Sequence, residues 1–164
     1  IALSAGVRWG TSTLEGDWIT MEDVMTQCAT TYSETYVIDM SGADLLNMLE
    51  GVADNLFDPD PYLQSGGDMV RVGGMNYVCD PTAAAGQRVS AMTLDNGKAV
   101  EAGKNYTVSG WATVGSQSPG RPIWDVVADY LRDRKVANIA RLNSPALKNV
   151  ASNPGLADYA GKFA

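Results

Sequence analysis

The chain contains no histidine. That absence removes the commonest transition-metal ligand and the commonest general base near neutral pH. Cysteine is almost as scarce: Cys28 and Cys79 stand far apart with no CxxC spacing, which gives a zinc or thioredoxin-type site no support and leaves two buried thiols or one disulfide. No apolar run approaches the roughly 20 residues that span a bilayer. Basic residues are few, 12 Lys and Arg against 19 Asp and Glu for a formal charge of −7, so the footprint that nucleic acid or an anionic membrane requires is missing. Asp58 and Asp60, or Asp129 and Asp133, do not follow the calcium-loop spacing and read as solvated faces. Ser4 and Ser12 have no imidazole or lysine base nearby in sequence, and the glycine pairs match neither phosphate-loop pattern.

What is present fits a single core. The 164 residues are 45% hydrophobic, enough for one domain. Residues Ile1 to Gly6 read as an apolar strand running into a loop, without initiator Met or signal-peptide regions. The expectation is a chain that begins inside a longer polypeptide, after an upstream domain.

Thr20 followed by Asp23 is a helix N-cap pattern, with Ile19 and Trp18 placed for staple or core packing, and predicts a helix from about Met21 to Ala29. Glu34 to Met40 is β-branched and alternating, a strand. Ser41 is placed to cap a second helix whose Leu45, Leu46, Met48, Leu49 and Val52 recur at helical spacing. Phe57 to Asp68 is rich in Pro, Asp and Gly, the composition of an irregular loop of functional length. Met69 to Val72 and Met75 to Cys79 read as strand segments, interrupted where Gly73-Gly74 permits a bulge or close approach. Val89 to Leu94 and Tyr106 to Trp111 read as further strands, and Asn96-Gly97 between them is the strongest hairpin signal. A Gly/Ser/Pro loop then leads into a helix from Trp124 to Arg134. Residues 1–137 are expected to form the domain, and 138–164 a tail that wraps a neighbouring surface.

The blocks Ser4-Ala5-Gly6-Val7-Arg8, Gly16-Asp17-Trp18-Ile19-Thr20-Met21-Glu22-Asp23-Val24 and Met40-Ser41-Gly42-Ala43-Asp44-Leu45-Leu46 follow one another in order. With the Gly-Gly segment that ends Tyr77-Val78-Cys79-Asp80 and with Tyr106-Thr107-Val108, they resemble the carboxyl-terminal substrate-binding domain of the 5′-nucleotidase family over about Ala2 to Leu131. The resemblance implies an α+β, layered β/α/β/α fold of that type. Ser4 to Gly10, Gln64 to Gly74 and Ser109-Gly110-Trp111-Ala112 look most like the SoxB thiosulfohydrolase branch of the family. The nucleotidase branch keeps an aromatic residue where Met69 stands and a glycine-rich stretch where Ser118 to Pro122 stands.

For this branch the resemblance implies a periplasmic hydrolase. Its dinuclear manganese centre belongs to an upstream metallophosphoesterase-like domain, and its substrate is a cysteine-bound sulfonate on the arm of the SoxYZ carrier. This segment would then hold no metal and no catalytic residue, and would be inactive alone. Two alternatives stay open: the matching domain of a periplasmic 5′-nucleotidase or phosphoesterase, and a non-catalytic carrier-docking module.

Within that frame five residues are candidates for substrate binding. Arg8 follows an apolar strand and matches the family's anion-binding arginine; its guanidinium offers a rigid fork of donors to sulfonate or phosphate oxygens. Arg71 lies just before Gly73-Gly74, either aimed into the cleft or simply an exposed strand residue. Asp68 either holds Arg8 or Arg71 or caps a turn. Trp9 and Trp124 are placed at loop margins where an indole can line a channel lip, with ordinary packing as the alternative. Trp111 and Arg121 are weaker candidates.

Overall fold

A computed structural model of the chain describes residues 1–5, 12–28, 33–111, 120–136 and 143–151. Two matching four-residue sequences start its first two helices. The Thr20 hydroxyl accepts from the Asp23 N–H at 3.2 Å, while the Asp23 carboxylate accepts from the Thr20 N–H at 2.8 Å. This exchange satisfies amides that a first helical turn leaves without partners, and α1 follows over Met21–Gln27. Ser41 and Asp44 repeat the device, at 3.1 and 3.2 Å, ahead of α2 at Gly42–Phe57. A third helix, α3, runs over Ile123–Arg134 without a side-chain cap.

The apolar face of α2 organises the core. Leu45, Leu49 and Ala53 recur every fourth residue and are fully buried. Leu45 packs with Leu3 and Val108, whereas Leu49 and Ala53 pack with Met75, Tyr77, Cys79 and Val89. Ile1, Met48, Val72 and Val100 border both groups, so the two form one continuous seam along the helix.

Each half of that seam faces its own sheet. The first contains β1 (Ala2–Ser4), β2 (Thr35–Ser41), β3 (Arg71–Gly73) and β6 (Asn105–Trp111) in the order β2-β6-β1-β3, with β1 and β6 parallel and the other neighbours antiparallel. The second contains β4 (Met75–Cys79), β5 (Val89–Leu94) and β7 (Ala146–Leu147) in the order β5-β4-β7. Gly74, at φ 81°, carries the chain from one sheet to the other, a left-handed conformation that favours glycine. The fold is thus α+β, with one helix shared between two sheets.

Polar groups secure the seam's far end. The buried Glu50 carboxylate accepts from the Arg88 and Val89 N–H groups at 3.0 and 2.7 Å. The Arg88 side chain, also buried, pairs with Asp54 and donates to the Phe57 carbonyl at 3.1 Å. Both buried charges therefore have partners, as their desolvation demands.

Three expectations change. Helix α1 ends at Gln27, where Cys28 turns extended. Trp18 is 92% exposed and Ile19 is also exposed, so neither staples the helix, although Val24, the position a staple would reach, is buried. The Asn96-Gly97 turn does form, with the Gly97 N–H donating to Leu94 and the Val100 N–H to Met92. Yet β6 does not pair with β5, because Val108 joins Leu3 and Leu45 and draws its strand between β2 and β1. Of the two arrangements open to the cysteines, the structure has the first: Cys28 and Cys79 are buried as free thiols.

Candidate functional site

Strand parity and register converge on one end of the first sheet. Strands β1 and β6 finish there at Ser4 and Trp111, and β3 and β2 begin there at Arg71 and Thr35. Arg71 is paired with Ser4 and Thr35 with Trp111. Leu3 and Val108 are buried beneath α2, so the neighbouring parity, Ser4, Arg71, Trp111 and Thr35, turns to the opposite face. The result is a transverse row of four side chains along the sheet's rim.

The middle of that row is hydrogen-bonded. The Trp111 indole N–H donates to Ser4 Oγ at 3.1 Å, and the Ser4 hydroxyl donates to the Ala5 carbonyl at 2.8 Å. This connection links the end of β6 to the last described residue before Arg8. Arg8 and Trp9 themselves lie outside the described residues.

On the β3 side, Arg71 stands 3.7 Å from Asp68, with about half or more of each side chain exposed. That separation is too long for a hydrogen bond and amounts to a weak, solvated charge contact. Asp68 thus does approach Arg71, while most of the guanidinium remains accessible.

On the β2 side, the Thr35 N–H and hydroxyl both reach the Arg121 carbonyl, at 3.1 and 2.8 Å, and the Ile123 N–H reaches Ser33 at 2.8 Å. Gly120 lies against the Thr35 carbonyl so closely that a Cβ would strike it. These contacts place Trp124, in the first turn of α3 and partly buried, beyond the β2 flank. Arg71 and Trp124 are therefore not neighbours: β3 and β2 lie three strand spacings apart, about 14 Å. The Arg121 side chain is committed to Asp129 at 2.6 Å. That hydrogen bond raises the guanidinium's pKa and lowers the carboxyl's.

Chemically, the rim presents an accessible guanidinium at Arg71, with an indole and hydroxyls beside it. Burial pushes both thiols above their ordinary pKa, which disfavours the thiolate that a nucleophile or metal ligand needs. Among the described residues no group of three or more His, Cys, Asp or Glu could hold a metal ion. In the sequence Trp111 is a weak candidate and Ser4 a hydroxyl with no base nearby. The parity of β1 and β6 was the signal that could have joined them, but the bond between them links residues 107 apart in the chain.

A family model for the 5′-nucleotidase C-terminal domain matches residues 1–124. The chain belongs to this family. Among solved structures, this 5′-nucleotidase C-terminal domain is similar to sulfate thiohydrolase SoxB of Thermus thermophilus, determined in complex with glycerol. The two share 32% identity with a TM-score of 0.80, over 90% of this chain and 28% of that one. A 5′-nucleotidase precursor, also from Thermus thermophilus, matches at 20% identity and TM-score 0.69, over 90% of this chain and 31% of that one. A putative 5′-nucleotidase from Staphylococcus aureus, in complex with alpha-ketoglutarate, matches at 22% and 0.59, over 79% and 30%. The latter two show the shared fold. The domain spans under a third of each of these proteins, and no curated protein matches its sequence. No helix among the described residues is long and apolar enough to cross a membrane.

Proposed function

We propose that this domain is the substrate-binding half of a SoxB-like periplasmic thiosulfohydrolase, a hydrolase that releases sulfate from a cysteine-bound sulfonate on the SoxYZ carrier. The observation that carries the reading is the 32% identity to SoxB across 90% of the chain. The rim supports it, because an accessible Arg71 beside a hydrogen-bonded Trp111–Ser4 pair suits an anionic group approaching the sheet's end.

In the balanced reaction, water oxygen bonds to the sulfonate sulfur as the sulfur–sulfur bond breaks. The sulfur that leaves takes the electron pair as thiolate, and two protons are released with sulfate, so no oxidant is required. Activation of water is assigned to a dinuclear manganese centre in an upstream domain. This chain, without histidine, contributes no group arranged to hold that centre among its described residues. Its own residues bind and orient: Arg8 and Arg71 grip sulfonate oxygens, Asp68 restrains Arg71, and Trp9 and Trp124 line the entrance. Arginines there also stabilise charge that develops on the oxygens.

Sulfate release should be measured with the intact manganese-loaded protein and S-sulfonated SoxYZ, beside phosphate release from a panel of nucleotides. Turnover of the carrier alone is expected. Phosphate release without sulfate release would overturn the reading in favour of a nucleotidase.

A further inference from the structure

Arg71 is presented from a short strand whose outer edge is closed by a segment far along the chain. Strand β3 has three residues and pairs with β1 on one side. On its other side Val72 bridges to Asn143, which lies beyond residues 1–124, the part that the family model matches. The segment that follows Asn143 has anchors of its own. Ala146 and Leu147 pair with Val78 and Cys79, and the Asn149 amide donates to the Asp80 carboxylate at 2.6 Å.

The half-buried Asn143 side chain does more than close an edge. Its Oδ1 accepts from the Gly74 N–H at 3.2 Å, and its Nδ2 donates to Asn76 Oδ1 at 3.0 Å and to Asp95 Oδ1 at 2.7 Å. The Gly74 carbonyl in turn accepts from the Asp95 N–H at 3.2 Å. Both backbone polar groups of the residue that carries the chain between the sheets are thereby tied into one network. A carboxamide suits this place because it joins an acceptor and donors on one rigid group. A carboxylate would confront Asp95, and an aliphatic group would leave the Gly74 N–H without its partner.

Gly74 is where such restraint matters. At φ 81° it holds a conformation open chiefly to glycine, the residue with the greatest backbone freedom. Arg71 stands three residues away, at the end of an extended lever of about 10 Å. A turn of about 10° at Gly74 would swing that end by about 2 Å, more than a group that orients a substrate tolerates. Asp68 cannot correct the swing, because its contact with Arg71 is long and solvated.

We propose that Asn143 is a positioning residue for Arg71. By fixing Gly74 and closing the edge of β3, it holds the guanidinium at the rim in the orientation that receives a sulfonate oxygen. The inference rests on the role given to Arg71 in the function proposed above, and extends the site to a distant residue that touches no substrate.

The test is a double-mutant cycle in the intact manganese-loaded protein, with S-sulfonated SoxYZ as substrate. Asn143→Ala should raise KM about fivefold or more, whereas in an Arg71→Ala background the same substitution should change KM by less than about twofold. Asn143→Asp combined with Asp95→Asn exchanges the two groups. The exchange keeps an acceptor for Gly74 and a hydrogen bond between the two positions, and should return KM to within about twofold of wild type. A residue that only stabilised the fold would show neither the coupling nor the rescue. Asn143→Leu, close in size and shape but without hydrogen bonds, replaces the alanine variant if that protein does not fold. Unchanged KM on loss of the amide, an equal rise with and without Arg71, or a failed rescue would overturn the inference. A wild-type KM in Arg71→Ala alone would instead remove Arg71 from the site, and a wild-type protein that releases no sulfate would sink the carrier reading; either result takes the inference with it.

Discussion

Leu3, Val72 and Val108 face α2, whereas Ser4, Arg71 and Trp111, on the same three strands, face away from it. The first set meets Leu45 in a seam that excludes water, and its positions are decided by volume. The second set meets solvent and one another, and its positions are decided by hydrogen bonds and charge. One set of strands therefore supplies stability on one face and, in the function proposed above, recognition at the rim of the other. Substitutions in the two places should separate cleanly.

The largest effect belongs to the seam. Leu49→Ala removes a fully buried side chain and should cost about 2–5 kcal/mol in urea unfolding. Any residual activity should retain its wild-type KM. A loss well below about 1 kcal/mol would mean that the seam is not the stabilising centre. Next comes the rim: Arg71→Ala should leave unfolding within about 0.5 kcal/mol of the parent. It should raise KM for the sulfonate substrate about tenfold or more, since a hydrogen bond to a charged group contributes about 1.5–3 kcal/mol. An unchanged KM would remove Arg71 from the site.

The smallest effect concerns the cap of α1. Hydrogen bonding by the Thr20 side chain and then its backbone holds the Asp23 carboxyl below its ordinary pKa. A depressed folded-state pKa stabilises above the unfolded value and loses that stabilisation as pH falls through the folded value. Melting temperature should therefore decline below about pH 4. Asp23→Asn should decline less steeply across that window, and equal slopes in the two proteins would show that the cap does not depend on charge.

Much of the fold was legible because its signals are local. Thr20 with Asp23 and Ser41 with Asp44 each lie three residues apart, and a capping box requires nothing beyond that spacing. The period of Leu45, Leu49 and Ala53 likewise defines one helical face. The failures share the opposite property. Asn96-Gly97 specifies a reversal but not the strand that the chain joins afterwards, and Trp18 reads as core although the fold leaves it exposed. In the candidate site, the approach of Asp68 to Arg71 spans three residues and is one of the arrangements the sequence leaves open. The bond between Trp111 and Ser4 spans 107 and is not among them.

The sequence by itself determined the helix starts, the buried face of α2, the family and a chemistry limited by the lack of histidine. Only the tertiary structure decided that β1 lies between β6 and β3, and that choice lines up Thr35, Trp111, Ser4 and Arg71 at one end of the sheet. The physical reason is that a strand's alternation states which residues share a face, while its neighbour is selected by competition among distant apolar side chains for the same helix.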